Sequence, residues 1–99
     1  MEQQKFPTDE KVEQARKEGI DLIDARDPEE FENGHIPGAI NMPWTEIDQY
    51  EVKPGSYLYC NSGRKSEMAR QTLADINIPT ENIGGLKYYS GELVQKKKS

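Results

Sequence analysis

The sequence is short of the residues that staple small proteins together. Its 99 residues include one cysteine and one histidine. A lone cysteine cannot close an intrachain disulfide. One Cys with one His falls short of the four ligands of a closed zinc site, so a structural metal is not expected. Long apolar runs are missing too: none approaches the roughly 20 residues that span a bilayer. Met1-Glu2-Gln3-Gln4-Lys5 leads into polar sequence without the apolar core of a signal peptide. Together these absences point to a reducing, cytoplasmic setting. Positive charge is also scarce, with 13 basic against 18 acidic residues and a net charge of −5. That balance argues against general affinity for nucleic acid or an anionic membrane. The only basic run, Lys96-Lys97-Lys98, is expected to be a solvated tail.

What is present suits one small domain, placed at residues 1–94 with a basic tail at 95–99. The chain is 33% hydrophobic and 31% charged, but its apolar residues are grouped. Ile20-Asp21-Leu22-Ile23 and Tyr57-Leu58-Tyr59 have the look of core strands. Thr8 is a candidate N-cap for a helix over 9–18, with Gly19 ending it. A buried strand is expected at 21–25. Pro28 to Glu32 fits one or two helical turns, Pro first and acids early. Pro37-Gly38 turns the chain into a short strand at 39–41, and 43–50 fits another short helix. A strand over 56–59 precedes a helix from Lys65 to Ile76, whose apolar positions Met68, Ala69, Thr72, Leu73 and Ile76 mark one buried face. A brief strand at Asn82-Ile83 and a last helix over 88–95 complete the pattern. Alternating strands and helices imply an α/β fold, a parallel sheet covered by helices on both faces. Ligands in such sheets bind beyond the carboxyl ends of strands.

The segment at that position is Cys60-Asn61-Ser62-Gly63-Arg64-Lys65-Ser66. A helix start presents unpaired N–H groups and partial positive charge. Gly63 lets the chain curl so that those groups point inward, and Arg64 and Lys65 add two formal charges. A thiol at the mouth of such a loop is expected to ionise more readily, and the thiolate is the nucleophile. The same cradle would hold an anionic substrate beside the sulfur. The competing expectation is a cysteine buried as a small hydrophobe. The strand, the basic Gly-containing loop and the helix in succession favour the reactive one.

Three ordered segments resemble the rhodanese homology domain. Leu22-Ile23-Asp24-Ala25-Arg26-Asp27-Pro28-Glu29-Glu30-Phe31, followed by Gly34-His35-Ile36-Pro37-Gly38-Ala39-Ile40-Asn41, is similar to its N-terminal signature. Tyr59 to Ser66 resembles its active-site strand and loop, and 82–93 its C-terminal segment. The resemblance implies a doubly wound α/β domain in which Cys60 takes up a sulfane sulfur as a persulfide. Asn61, Ser62, Gly63, Arg64, Lys65 and Ser66 would bind the substrate. The family's loop often reads Cys-Arg-x-Gly-x-Arg, so Asn61 and Lys65 stand where arginines are usual, and Lys lacks the flat guanidinium fork. Tyr89 stands where many members carry Trp. Related phosphatases use Cys-x5-Arg, whereas the sixth residue after Cys60 is Ser66, which disfavours phosphatase chemistry.

Other residues that invite a role have quieter explanations. His35 is expected to lock the 34–38 turn through backbone hydrogen bonds rather than act as a base. Asp24 and Arg26 fit a buried ion pair or turn cap. Glu29 and Glu30 fit helix-start acids. Trp44, Tyr50, Tyr57, Tyr59, Tyr88 and Tyr89 are expected in the core. The resulting expectation is a sulfurtransferase with a small anionic sulfur donor such as thiosulfate, and cyanide or a thiol-bearing protein as acceptor. No metal or organic cofactor is required. The alternative is a non-enzymatic sulfur carrier or interaction module loaded by a partner protein.

Overall fold

Leu22, Ile23, Leu58 and Tyr59 lie side by side at the centre of a four-stranded parallel sheet. The computed structural model describes residues 6–96. Met1–Lys5, and Lys97 and Lys98 of the expected tail, lie outside the described residues. Elements follow the chain as α1 (Thr8–Glu18), β1 (Leu22–Asp24), α2 (Pro28–Asn33), β2 (Ile40–Asn41), a 3₁₀ segment (Trp44–Gln49), β3 (Tyr57–Cys60), α3 (Arg64–Asp75), β4 (Glu81–Gly85) and a 3₁₀ turn (Leu86–Tyr88). The sheet order is β2-β1-β3-β4, with every pairing parallel.

The pleat sends alternate side chains to opposite faces, and both faces are covered. Tyr57, Tyr59, Leu22 and Ile83 pack with Val12 and Ala15 of α1. Ile23 and Leu58 pack with Ala69 and Leu73 of α3 and Ile47 of the 3₁₀ segment. Each fully buried Leu or Ile contributes about 1.5–3 kcal/mol to this two-sided core. The α/β fold read from the sequence is the one observed.

Four expectations need correction. Thr8 does not cap α1; Pro7 holds that position and Thr8 is the first helical residue. Its fully buried hydroxyl instead donates to the Ile83 carbonyl in β4, which fastens α1 to the sheet edge. Met68 and Ile76 are not buried on α3, being 50% and 48% exposed. The buried positions are Ser66, Ala69 and Leu73, and Met68 sits one position off that line, overhanging the loop. No helix forms over 88–95. Ser90 is held by the Asp9 carboxylate through its N–H and hydroxyl, and Val94 exchanges two backbone hydrogen bonds with His35. These contacts draw the segment out along the domain, where Lys96 N–H also reaches the Glu32 carbonyl. Tyr50 is exposed rather than core.

Candidate functional site

From β1 the chain crosses to β2 on one side, and from β3 to β4 on the other, so the ends of β1 and β3 flank a crevice. Strand β1 ends at Asp24, with Arg26 two residues on, and Cys60 closes the neighbouring β3. The β3–β4 register shifts between Leu58 and Cys60, pairing Cys60 with Gly85. A side chain at Gly85 would meet the Cys60 carbonyl oxygen at 2.4 Å. The two strands can approach so closely only because glycine is there.

After Cys60 the loop turns at Gly63, whose φ of 99° is the left-handed conformation that glycine tolerates. That turn aims backbone N–H groups back at the sulfur. Gly63 N–H donates to Cys60 Sγ at 3.1 Å and Ser66 N–H at 3.3 Å, with Ser66 Oγ also at 3.3 Å. Cys60 is only 2% exposed, yet its sulfur lies against polar backbone rather than sealed in hydrocarbon. Donors arranged in this way stabilise negative charge on sulfur.

Above the sulfur opens a cavity of about 400 Å³ lined by Trp44, Cys60, Asn61, Ser62, Arg64, Lys65 and Met68. Trp44, expected in the core, is half-buried here and forms an apolar wall with Met68. Arg64 and Lys65 are exposed at the rim and join none of the ion pairs among the described residues. Their side chains are not among the sulfur's hydrogen-bond partners. A larger groove of about 700 Å³ shares Ser62, Arg64 and Met68 but does not reach the sulfur.

Asn61 also lines the cavity above the sulfur, but its side-chain hydrogen bonds run to Arg26 and Glu30. Its Oδ1 accepts from Arg26 at 3.3 Å and its Nδ2 donates to Glu30 at 3.2 Å. Arg26 is itself clamped by Asp24 through Nε and Nη2, the latter at 2.8 Å, and donates to the Gly34 carbonyl. Burial disfavours the Arg26 charge, but the hydrogen bond and charge of Asp24 outweigh it and hold the guanidinium above its ordinary pKa. Burial, reinforced by Asp24, pushes the Tyr59 phenol far up, so Tyr59 stays neutral and accepts the Ile36 N–H. Asp24 and Arg26 thus form the buried ion pair expected from the residue types.

His35 makes the kind of backbone hydrogen bond expected of it, but to α2 rather than within the 34–38 turn. Its Nδ1 lies 2.8 Å from the Phe31 carbonyl, which can only accept, so Nδ1 carries the proton. The ring stacks on Phe31 with centroids 3.8 Å apart.

One residue near the sulfur was not singled out in the sequence. Asn82 in β4 accepts the Ser66 hydroxyl at 2.8 Å and the Gly84 N–H at 3.0 Å, and donates to the Gly63 carbonyl at 2.9 Å. The available signal was an asparagine inside a strand, a setting it disfavours.

Sheet order, two-sided helix cover and the amide-cradled cysteine together define a rhodanese fold. The chain belongs to the rhodanese-like domain family, whose model matches residues 8–92. It is 43% identical over 83 residues to the uncharacterized protein YqhL of Bacillus subtilis, covering 77% of this chain and 65% of that one. Against the putative sulfur carrier protein YrkF of the same organism identity is 37% over 60 residues, 57% of this chain and 32% of that one. It is 36% identical over 72 residues to the thiosulfate sulfurtransferase PspE of Escherichia coli, with 66% and 69% covered. The chain therefore spans less than two thirds of the first two relatives. A solved rhodanese with anions from E. coli superposes with a TM-score of 0.69 at 32% identity, covering 78% of this chain and 99% of that one.

Proposed function

We propose that the protein is a sulfurtransferase in which Cys60 carries the sulfur. The observation that carries this reading is the pair of N–H groups, from Gly63 and Ser66, converging on Cys60 Sγ. In the first half-reaction the thiolate attacks the outer sulfur of thiosulfate. A new S–S bond forms, the sulfur–sulfur bond of the donor breaks, and sulfite leaves with the bonding pair. Arg64 and Lys65 at the rim attract the dianion, and the loop amides hold the persulfide anion. In the second half-reaction cyanide attacks the outer sulfur, thiocyanate departs and the Cys60 thiolate returns. Two half-reactions on one cysteine give ping-pong kinetics. Neither step calls for a metal or an organic cofactor. The 36% identity to a thiosulfate sulfurtransferase supports the donor class.

A second reading is favoured by the 37% identity to a putative sulfur carrier and by Asn61, which stands where an arginine is usual and whose side chain is engaged by Arg26 and Glu30. In it Cys60 is loaded by a partner protein and delivers sulfur to a thiol-bearing acceptor.

Mass spectrometry after thiosulfate treatment tests both. The expected result is one added sulfur atom on Cys60, with thiosulfate-to-cyanide turnover abolished in Cys60→Ser. Absence of the adduct overturns thiosulfate as donor; loading that requires a partner protein establishes the carrier instead.

A further inference from the structure

The Ser66 hydroxyl has one proton and two close acceptors. Asn82 Oδ1 lies at 2.8 Å and Cys60 Sγ at 3.3 Å, with the Gly84 carbonyl farther off at 3.5 Å. The orientation of the Asn82 carboxamide is fixed independently of Ser66. The Gly84 N–H requires an oxygen opposite it, and the Gly63 carbonyl requires the NH₂. Strand β4 and the loop therefore aim an acceptor at Ser66 whatever the state of the sulfur.

We propose that Asn82 is a positioning residue that directs the Ser66 proton, toward Asn82 while Cys60 is a thiol and toward the sulfur once it is anionic. In the thiol state Cys60 S–H donates to Ser66 Oγ, and Ser66 O–H donates to Asn82. In the anionic state the balance changes, because a hydrogen bond to a charged group is stronger than one between neutral partners. The hydroxyl then turns about its C–O bond and joins the Gly63 and Ser66 N–H groups as a third donor. No covalent bond changes. The thiol half rests on the hydrogen bonds alone, while the anionic half takes its role in sulfur transfer from the reading above.

Because the chain has a single cysteine, the infrared S–H stretch of the intact protein reports Cys60 only. In mildly acidic buffer the wild-type band is expected at lowered frequency, as for a thiol that donates. Ser66→Ala removes the acceptor and raises the band. Asn82→Ala frees the hydroxyl to turn toward sulfur and raises it as well, while Asn82→Asp, which keeps an oxygen facing Ser66, leaves it in place. Asn82→Leu, close to asparagine in shape, must repeat the Ala result and serves if the Ala variant does not fold. A band unmoved by loss of the Asn82 oxygen, or already high in the wild type, overturns the proposal. Thiosulfate loading supplies the second arm: Ser66→Ala is expected to slow it about tenfold, and unchanged loading overturns the anionic half. Should the wild type take up no sulfur from thiosulfate, thiosulfate falls as the donor in the reading above, and the S–H band alone decides the role of Asn82.

Discussion

At the scale of single residues, the site depends on positions where a side chain is missing. A methyl group at Gly85 would lie 2.4 Å from the Cys60 carbonyl oxygen and 2.5 Å from the Asn61 carbonyl group. Those atoms are backbone and cannot swing aside. Overpacking of this kind costs about 1–3 kcal/mol. Gly85→Ala is therefore expected to lower stability by that amount in urea denaturation and to displace the loop that faces the sulfur. Full sulfur loading in a destabilised Gly85→Ala would show that the close approach serves packing only. Asp24→Asn tests the buried pair at the end of β1. It leaves the buried Arg26 guanidinium without its counter-charge, and breaking a buried pair from one side costs about 3–5 kcal/mol. Both residues of that pair were legible from their types and spacing, as were Cys60 and the loop after it. Asn82 was not, because its partners Ser66 and Gly63 lie in a loop sixteen and nineteen positions away that only the folded sheet brings beside β4.

At the scale of elements, helix α3 separates what sequence periodicity shows from what it misses. Its span was expected from Lys65 to Ile76 and is observed as Arg64–Asp75, because the apolar spacing and the preceding glycine both mark it. Its orientation was misread. Met68 and Ile76 are apolar but face outward, and Ser66 is polar but fully buried, since its hydroxyl finds Asn82. Hydropathy cannot register a polar side chain whose partner lies sixteen positions away. The contrast yields a paired test by chemical denaturation. Leu73→Ala, at a fully buried position, is expected to cost about 2–5 kcal/mol. Met68→Ala, half-exposed at the cavity rim, should stay within about 0.5 kcal/mol. Equal costs would mean that the helix is turned otherwise. The missing last helix has a similar cause. Residues 88–95 contain helix-compatible side chains, but Asp9 and His35, far away in the chain, hold Ser90 and Val94 in an extended path instead.

At the scale of the whole molecule, the acidic balance makes stability in acid a test of the charge network at the helix beside the site. Glu67 is held well below its ordinary value of 4.5, at about 2. The chief cause is the hydrogen bond from Arg70 (2.6 Å at the closest), opposed by burial and aided by Gln71 and Asn82. A carboxyl depressed by folding binds fewer protons in the folded state than in the unfolded one. Its contribution is therefore fully present above about pH 4.5 and is lost as the pH falls through about 2. Both side chains are more than a third exposed, so solvent screening keeps the contribution near the 0.2–1 kcal/mol of roughly solvated pairs. Glu67→Gln should accordingly be less stable than the wild type at neutral pH, with the gap narrowing through that acidic window. Added salt should shrink the gap at neutral pH, since exposed charges are screened over about 10 Å at 0.1 M. Urea denaturation of both proteins at neutral and acidic pH, each at low and high salt, measures it. A gap that stays constant with pH would mean that Glu67 stabilises α3 through shape and neutral hydrogen bonding, and that its charge has no part in holding the helix against the sulfur-bearing loop.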